Sequence, residues 1–183
     1  MRDYLSIEEH LIVGQNNNTL NEKHMFQDNY APQKGTFTFT MIKPGEENQD
    51  YIGEILTMIH EAGFRIQAMK MVRLRTKQAE MFYRHLSDQP FYPDVVKYMT
   101  SGPVIAAVLE KENAVADYRK LIGATDPSKA EEGTIRKRFA KSTDRNVVHG
   151  SDSDDNAAEE ASFFFSFSER YNKDGHCFFG WGK

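Results

Sequence analysis

The run Pro103-Val104-Ile105-Ala106-Ala107-Val108-Leu109 constrains this chain most, because a near-continuous apolar stretch of that length suits a strand buried in the middle of a sheet. A second segment, Thr36-Phe37-Thr38-Phe39-Thr40-Met41-Ile42, alternates polar with aromatic and branched residues, which predicts a strand with one buried face. Between them, Ile52, Ile55, Leu56 and Ile59 follow the i, i+3, i+4, i+7 rule, so a helix is expected there, ended by Gly63. Residues 64–75 return to rough alternation and read as a long strand. Thr76 opens another helix with Ala79, Phe82 and Leu86 on one face, and residues 91–99, 112–122 and 133–139 read as shorter helical pieces. Strands alternating with helices predict, on pattern alone, a parallel α/β sheet.

A chain of 183 residues with 39 % hydrophobic content buries one substantial core, so one domain is expected. We place it at residues 35–183, behind Pro32-Gln33-Lys34-Gly35, with residues 1–34 as a flexible or surface-packed extension. The net charge of −4 offers no global attraction to nucleic acid or an anionic membrane. Cys177 is the single cysteine, which rules out an intramolecular disulfide and suits a reducing compartment. The longest apolar run near the start, Leu11-Ile12-Val13, is too short for a signal peptide, and no stretch approaches the roughly 20 apolar residues of a membrane helix. A cytoplasmic protein is the expectation.

The stretch that looks built for chemistry is Asn146-Val147-Val148-His149-Gly150-Ser151-Asp152-Ser153. It delivers one histidine to a glycine, serine and aspartate turn, ahead of a helix that Ser153 or a neighbouring aspartate caps and that packs Ala157, Ala158, Ala161 and Phe164 inward. A nucleophilic histidine needs one ring nitrogen facing substrate and the other held by a partner. Glu160 is placed to reach back, since helical side chains tilt toward the N-terminus. Spacing alone leaves a structural or merely exposed His149 open.

Metal ligation fares poorly, because the histidines at 10, 24, 60, 85, 149 and 176 form no H-E-x-x-H or C-x-x-C grouping. Asp152, Asp154 and Asp155 miss the offsets of a calcium loop and suit a helix start. Neither glycine-rich nucleotide signature is present. Any bound phosphate must be held by side chains, and the candidates are Lys43, at a strand's end before Pro44, with Arg119, Arg136, Thr125 and Asn146. Tyr83 and His85 read as residues at the edge of the core.

Beyond the histidine stretch, Thr-Phe-Thr-Met-Ile-Lys43-Pro44, Gly63-Phe64-Arg65, Gln89-Pro90-Phe91-Tyr92-Pro93, Ser101-Gly102-Pro103-Val104 and Gly133-Thr134-Ile135-Arg136 occur in order. Together these motifs resemble those of nucleoside diphosphate kinases from about residue 36 to residue 165. The resemblance implies a ferredoxin-like α/β (α+β) sandwich with a four-stranded antiparallel sheet, against the parallel sheet that alternation suggests. It implies transfer of the γ-phosphate of a nucleoside triphosphate to a nucleoside diphosphate by a ping-pong route through a phosphohistidine on His149. Glu160 would orient the ring, Ser151 follow it, and Tyr83 lie beside it. Lys43 and Asn146 would meet the sugar hydroxyl, Arg119, Thr125 and Arg136 the phosphates, and Phe91 the base. Mg²⁺ would arrive mainly on the phosphates, with no direct protein ligand. A homo-oligomer is implied, a hexamer favoured over a tetramer, with Thr125-Asp126-Pro127 resembling a loop used in trimer contacts; neither nucleic acid nor membrane is an expected partner.

The chain departs from the family pattern at several places. Gly45-Glu46-Glu47-Asn48 replaces the usual Asp-Gly or Asp-Ala turn, Lys137-Arg138 stands for Gly-Asp, and Thr143 takes the place of an apolar residue in the base clamp. The competing expectation is a non-catalytic oligomeric interaction module on the same fold. Retention of the histidine, glutamate, arginines and lysine together favours catalysis.

Overall fold

The computed structural model describes residues 32–45, 48 and 50–178. The extension expected over residues 1–34 therefore lies outside the described residues as far as residue 31, as does Trp181 of the tail. The described elements are β1 (Phe37–Ile42), α1 (Ile52–Glu61), β2 (Arg65–Val72), α2 (Thr76–Phe82), a 3-10 turn (Arg84–Leu86), α3 (Tyr92–Met99), β3 (Val104–Glu110), α4 (Ala114–Ile122), α5 (Ile135–Phe139), β4 (Val148–Gly150), α6 (Asp154–Phe164) and a second 3-10 turn (Phe167–Glu169).

The four strands lie in the order β2-β3-β1-β4, and every pairing is antiparallel. The parallel sheet that alternation predicts is thus overturned, and the ferredoxin-like arrangement is present. Strands β1 and β2 run the same way around the α1 crossover, but β3 inserts between them and pairs with both in the opposite sense. Alternation of elements cannot reveal that insertion.

The apolar run at residues 103–109 becomes β3, interior to the sheet and buried over Val104 to Leu109. Strand β1 is buried at all six positions, where one exposed face was expected. The reason is that helices cover both sides of the sheet. Phe37, Phe39 and Met41 join Val104, Ala106 and Val108 in a core with Phe82 of α2, Met99 of α3 and Ala157, Ala161 and Phe164 of α6. Ile42, Ile105, Ala107 and Leu109 meet Ile55 and Ile59 of α1 and Tyr118 and Ile122 of α4 on the other side. Thr40 is tolerated on that second side because its Oγ1 bonds the Tyr118 hydroxyl at 2.5 Å and the His149 carbonyl at 2.9 Å, whereas the equally buried Thr38 Oγ1 has no such partner among the described residues.

Helix ends follow local chemistry. Gly63 follows α1 at φ +83, the left-handed conformation suited to glycine at a helix C-terminus. Ser153 caps α6, its Oγ accepting from the Asn156 amide at 3.2 Å, and Asp154 and Asp155 fill the acidic first turn. The chain after α6 turns back over the β2 bulge, where the Tyr171 amide donates to the Gln67 carbonyl at 2.9 Å and Arg170 Nη2 to Gln67 Oε1 at 3.1 Å.

Gly150, next to the candidate histidine, is a matter of space. A Cβ there would stand 2.9 Å from two ring carbons of Tyr118 and 3.1 Å from Ile122, inside contact distance. Gly150→Ala is accordingly expected to cost about 1–3 kcal/mol of unfolding free energy, the range for overpacking a filled core. Urea denaturation checks this; an unchanged midpoint would show that Tyr118 yields freely.

Candidate active site

Strand pairing places the histidine. His149 lies opposite Met41 in the β1–β4 register, so both side chains project to the face covered by α2, α3 and α6. There the imidazole is packed among Phe39, Phe82 and Tyr83, with ring centroids 6.0, 5.4 and 6.4 Å away. Glu160 comes from the second turn of α6, and its Oε2 lies 2.9 Å from His149 Nε2. The same oxygen accepts a 2.6 Å bond from Ser151 Oγ, which in turn accepts from the Phe39 amide at 3.3 Å. The chain of bonds therefore runs from the backbone of β1 through Ser151 to the carboxylate and the ring. His149 and Glu160 side chains are only 18 % and 15 % exposed, so this carboxylate is fixed and little hydrated.

The turn that delivers the ring is strained. The Val148 amide donates to the Asn146 carbonyl at 2.7 Å across Val147, whose φ is +66. That is the rare form of the γ-turn, and a branched residue seldom adopts such a φ. Burial of Val147 and a 2.8 Å bond from the Lys43 amide to its carbonyl hold the conformation in place. Asn146 gives its Nδ2 to the Thr143 carbonyl at 2.8 Å, leaving its buried Oδ1 without a protein partner.

Two cations meet beside this turn. Arg136, on the short α5, is buried and spends Nη1 on the Gly123 carbonyl at 2.9 Å and Nη2 on the Val148 carbonyl at 3.0 Å, while its buried Nε has no partner. Burial lowers its pKa. Burial also pushes the Lys43 ammonium down to about 8, with the Arg136 charge acting in the same direction and Asp144 opposing them. Arg119, exposed at the end of α4, adds its charge to Arg136 on one side and to Asp152 on the other. Burial raises the Tyr83 phenol well above its ordinary range, helped by the Glu160 charge, and its hydroxyl is also unpartnered. Cations with spare donors gathered at low hydration form a site for an anion with several oxygens.

A cavity of about 510 Å³ adjoins Lys43 and carries Phe91, Asp94, Asp144 and Arg145 in its wall, but neither His149 nor Arg136. Lys43 thus lines the cavity while its amide is bonded to Val147, two residues before the histidine. Phe91 is 47 % exposed, an aromatic face open to a planar ligand. Thr125 is exposed in the loop after Gly123, and among the described residues neither it nor Phe91 is hydrogen-bonded to the rest of the site. The divergent turn after Pro44 is braced by Asn48, whose Nδ2 bonds the carbonyls of Lys43 at 3.1 Å and Pro44 at 3.0 Å. Lys137 and Arg138 point their charges elsewhere, to Glu132 at 3.5 Å and Glu54 at 3.0 Å. Asn48, Asp144 and the Gly123 carbonyl were not readable as site residues, because each acts through a contact formed only on folding.

The buried ammonium has a cost that can be measured. With a folded pKa near 8, below the ordinary 10.5, the stabilising effect of the neutral form is full above about pH 10.5 and is lost as pH falls through 8. Lys43→Met is therefore expected to be more stable than the parent at pH 7, by about 1–3 kcal/mol. The difference should shrink between pH 8 and 10.5. Denaturation in urea across that range checks it, and a less stable variant at pH 7 would contradict the burial argument.

Comparison with known proteins places these features in a family. The family model described as nucleoside diphosphate kinase matches residues 36–170. A nucleoside diphosphate kinase of Flavobacterium psychrophilum is 52 % identical over 134 residues, spanning 73 % of this chain and 96 % of that protein. One of Chlorobaculum tepidum is 52 % identical over 132 residues, spanning 72 % and 94 %. Among solved structures, the Aquifex aeolicus nucleoside diphosphate kinase superposes with a TM-score of 0.71 at 37 % identity, covering 74 % of this chain and 98 % of that one. The apo enzyme of Encephalitozoon cuniculi gives 0.72 at 37 % identity, covering 79 % and 95 %.

Proposed function

This chain belongs to the nucleoside diphosphate kinase family of phosphotransferases, and we propose that it moves a γ-phosphate between nucleotides by way of a phosphohistidine on His149. The observation that carries the reading is the 2.9 Å contact between His149 Nε2 and Glu160, which leaves Nδ1 as the nitrogen for attack. With its proton on Nε2, the ring offers the Nδ1 lone pair to the γ-phosphorus of a bound triphosphate. The N–P bond forms as the bond to the bridging oxygen breaks, and a nucleoside diphosphate leaves. The imidazolium so created keeps its proton against the Glu160 carboxylate, which Ser151 holds in place. A terminal phosphate oxygen of an acceptor diphosphate then attacks, the N–P bond breaks, and the ring is neutral again. The order of events is ping-pong.

Lys43, Arg119 and Arg136 neutralise charge on the transferring group, which is where most of the catalysis of such a loose phosphoryl transfer originates. Thr125 and Asn146 act as neutral donors, and Tyr83 closes the far side of the ring. Phe91 gives a stacking face indifferent to which base it meets. Mg²⁺ would be held mainly by the nucleotide phosphates, with no direct protein ligand, and would supply Lewis-acid charge neutralisation there. Catalysis is assigned to residues 35–183, with residues 1–34 appended, because the family match begins at residue 36. The exposed Ile66, Met69 and Met71 of edge strand β2 support a homo-oligomer, a hexamer in preference to a tetramer, and the single cysteine supports the reducing cytoplasm as its compartment.

Incubation with γ-labelled ATP and Mg²⁺, without an acceptor, is expected to label the protein. The label should survive base, be lost in acid, and pass to added GDP. It should appear equally on a chain beginning at residue 35, and the full chain should run as particles several times its own 21.1 kDa mass. Label that persists in His149→Ala would overturn the assignment.

A further inference from the structure

The cavity beside Lys43 contains charged groups that neither phosphate transfer nor stacking uses. Residues 141–146 form a closed loop: the Lys141 amide donates to the Arg145 carbonyl at 3.2 Å, the Arg145 amide to Ser142 Oγ at 3.1 Å, and Asn146 Nδ2 to the Thr143 carbonyl at 2.8 Å. Asp144 sits at the tip of that loop, in the cavity wall with Phe91. Arg145 shares the wall, its guanidinium 5.7 Å from the centre of the Tyr98 ring. A carboxylate and a guanidinium are thus held on a braced loop in the cavity that carries the stacking face. Bracing of the loop backbone lowers part of the ordering cost that exposed charges otherwise bear in recognition.

We propose that Asp144, supported by Arg145, reads the edge of the base and biases this enzyme toward guanine nucleotides. The inference rests on the phosphotransfer reading above and adds selectivity to it. A carboxylate offers two acceptor oxygens and no donor. Guanine alone among the common bases presents two adjacent donors, N1–H and the 2-amino group, and so matches both oxygens. Adenine and cytosine pair their single amino donor with a ring nitrogen lone pair, which a carboxylate repels. Uracil and thymine flank one N–H with two carbonyls. Guanine also carries its acceptors, O6 and N7, as a pair that suits a guanidinium.

Inosine diphosphate differs from GDP only by lacking the 2-amino group, so the pair isolates the contact. Calorimetric titration of the full chain with each, in Mg²⁺, is expected to show GDP bound about tenfold more tightly, the lower end of discrimination by a bidentate pair. Asp144→Asn should bring the ratio of the two dissociation constants close to one, and Asp94→Asn, from the α3 side of the cavity, should leave it at the parent value. Because each ratio is taken within one protein, partial loss of folding does not imitate the effect. A parent ratio near one, a ratio that survives Asp144→Asn, or one that collapses in Asp94→Asn instead would each overturn the proposal. Equal binding of both nucleotides with His149 still phosphorylated would sink the selectivity alone, whereas binding of neither would sink the phosphotransfer reading with it.

Discussion

The site depends on strand β1 being held from both edges at once. Six residue pairs fasten it to β3 and three fasten it to β4. The β4 pairing puts His149 across from Met41, and Lys43 follows two residues later, after β1 ends. The Lys43 amide is itself bonded to the Val147 carbonyl. His149 and Lys43, more than one hundred positions apart in the chain, are therefore set by one ladder of backbone bonds. Ser151 extends that ladder into the side chains, since its hydroxyl takes the Phe39 amide on one side and gives to Glu160 on the other. A site built on strands in this manner is aimed more finely than one built on loops.

The second theme is stored cost. A branched residue at φ +66, a lysine whose pKa burial has lowered, and an arginine with an orphaned buried Nε are each unfavourable in the free protein. All three lie beside the histidine. A polyanionic ligand would relieve the last two, and under the proposed function the cations would then need little reorganisation when charge develops. The aromatic packing around His149 contributes by excluding water on the core side. Stability is given up at the residues to which the proposed reaction assigns the work, a pattern expected where a fold is tuned for electrostatic preorganisation.

Much of this was legible in the chain before its fold. The β3 run, the α1 periodicity and the Ser153 cap are local, so sequence spacing reveals them directly. The path from Glu160 back to His149 was also readable, because the tilt of helical side chains turns a sequence distance into a reach. The sense of the sheet was not, since a strand inserted between β1 and β2 leaves the alternation of elements unchanged. It needed the resemblance of whole motifs. Nor could spacing show that β1 is covered on both faces, because threonine reads as exposed unless its hydroxyl has a partner such as Tyr118. Asn48 and Asp144 escaped notice for a similar reason: a residue that braces a turn or lines a cavity has no periodic signature. Lys137 and Arg138 follow Arg136 directly in sequence, yet their charges are drawn off by Glu132 and Glu54, which no spacing rule reveals.

Under the proposed function, Glu160 occupies one ring nitrogen and directs the phosphoryl group to the other. Heteronuclear NMR of the phosphoenzyme, prepared with nitrogen-labelled histidine, reads which ring nitrogen is bonded to phosphorus. Phosphorus is expected on Nδ1, with the Nε2 proton retained in its bond to the carboxylate. Phosphorus on Nε2 would contradict it, because that nitrogen would first have to leave Glu160.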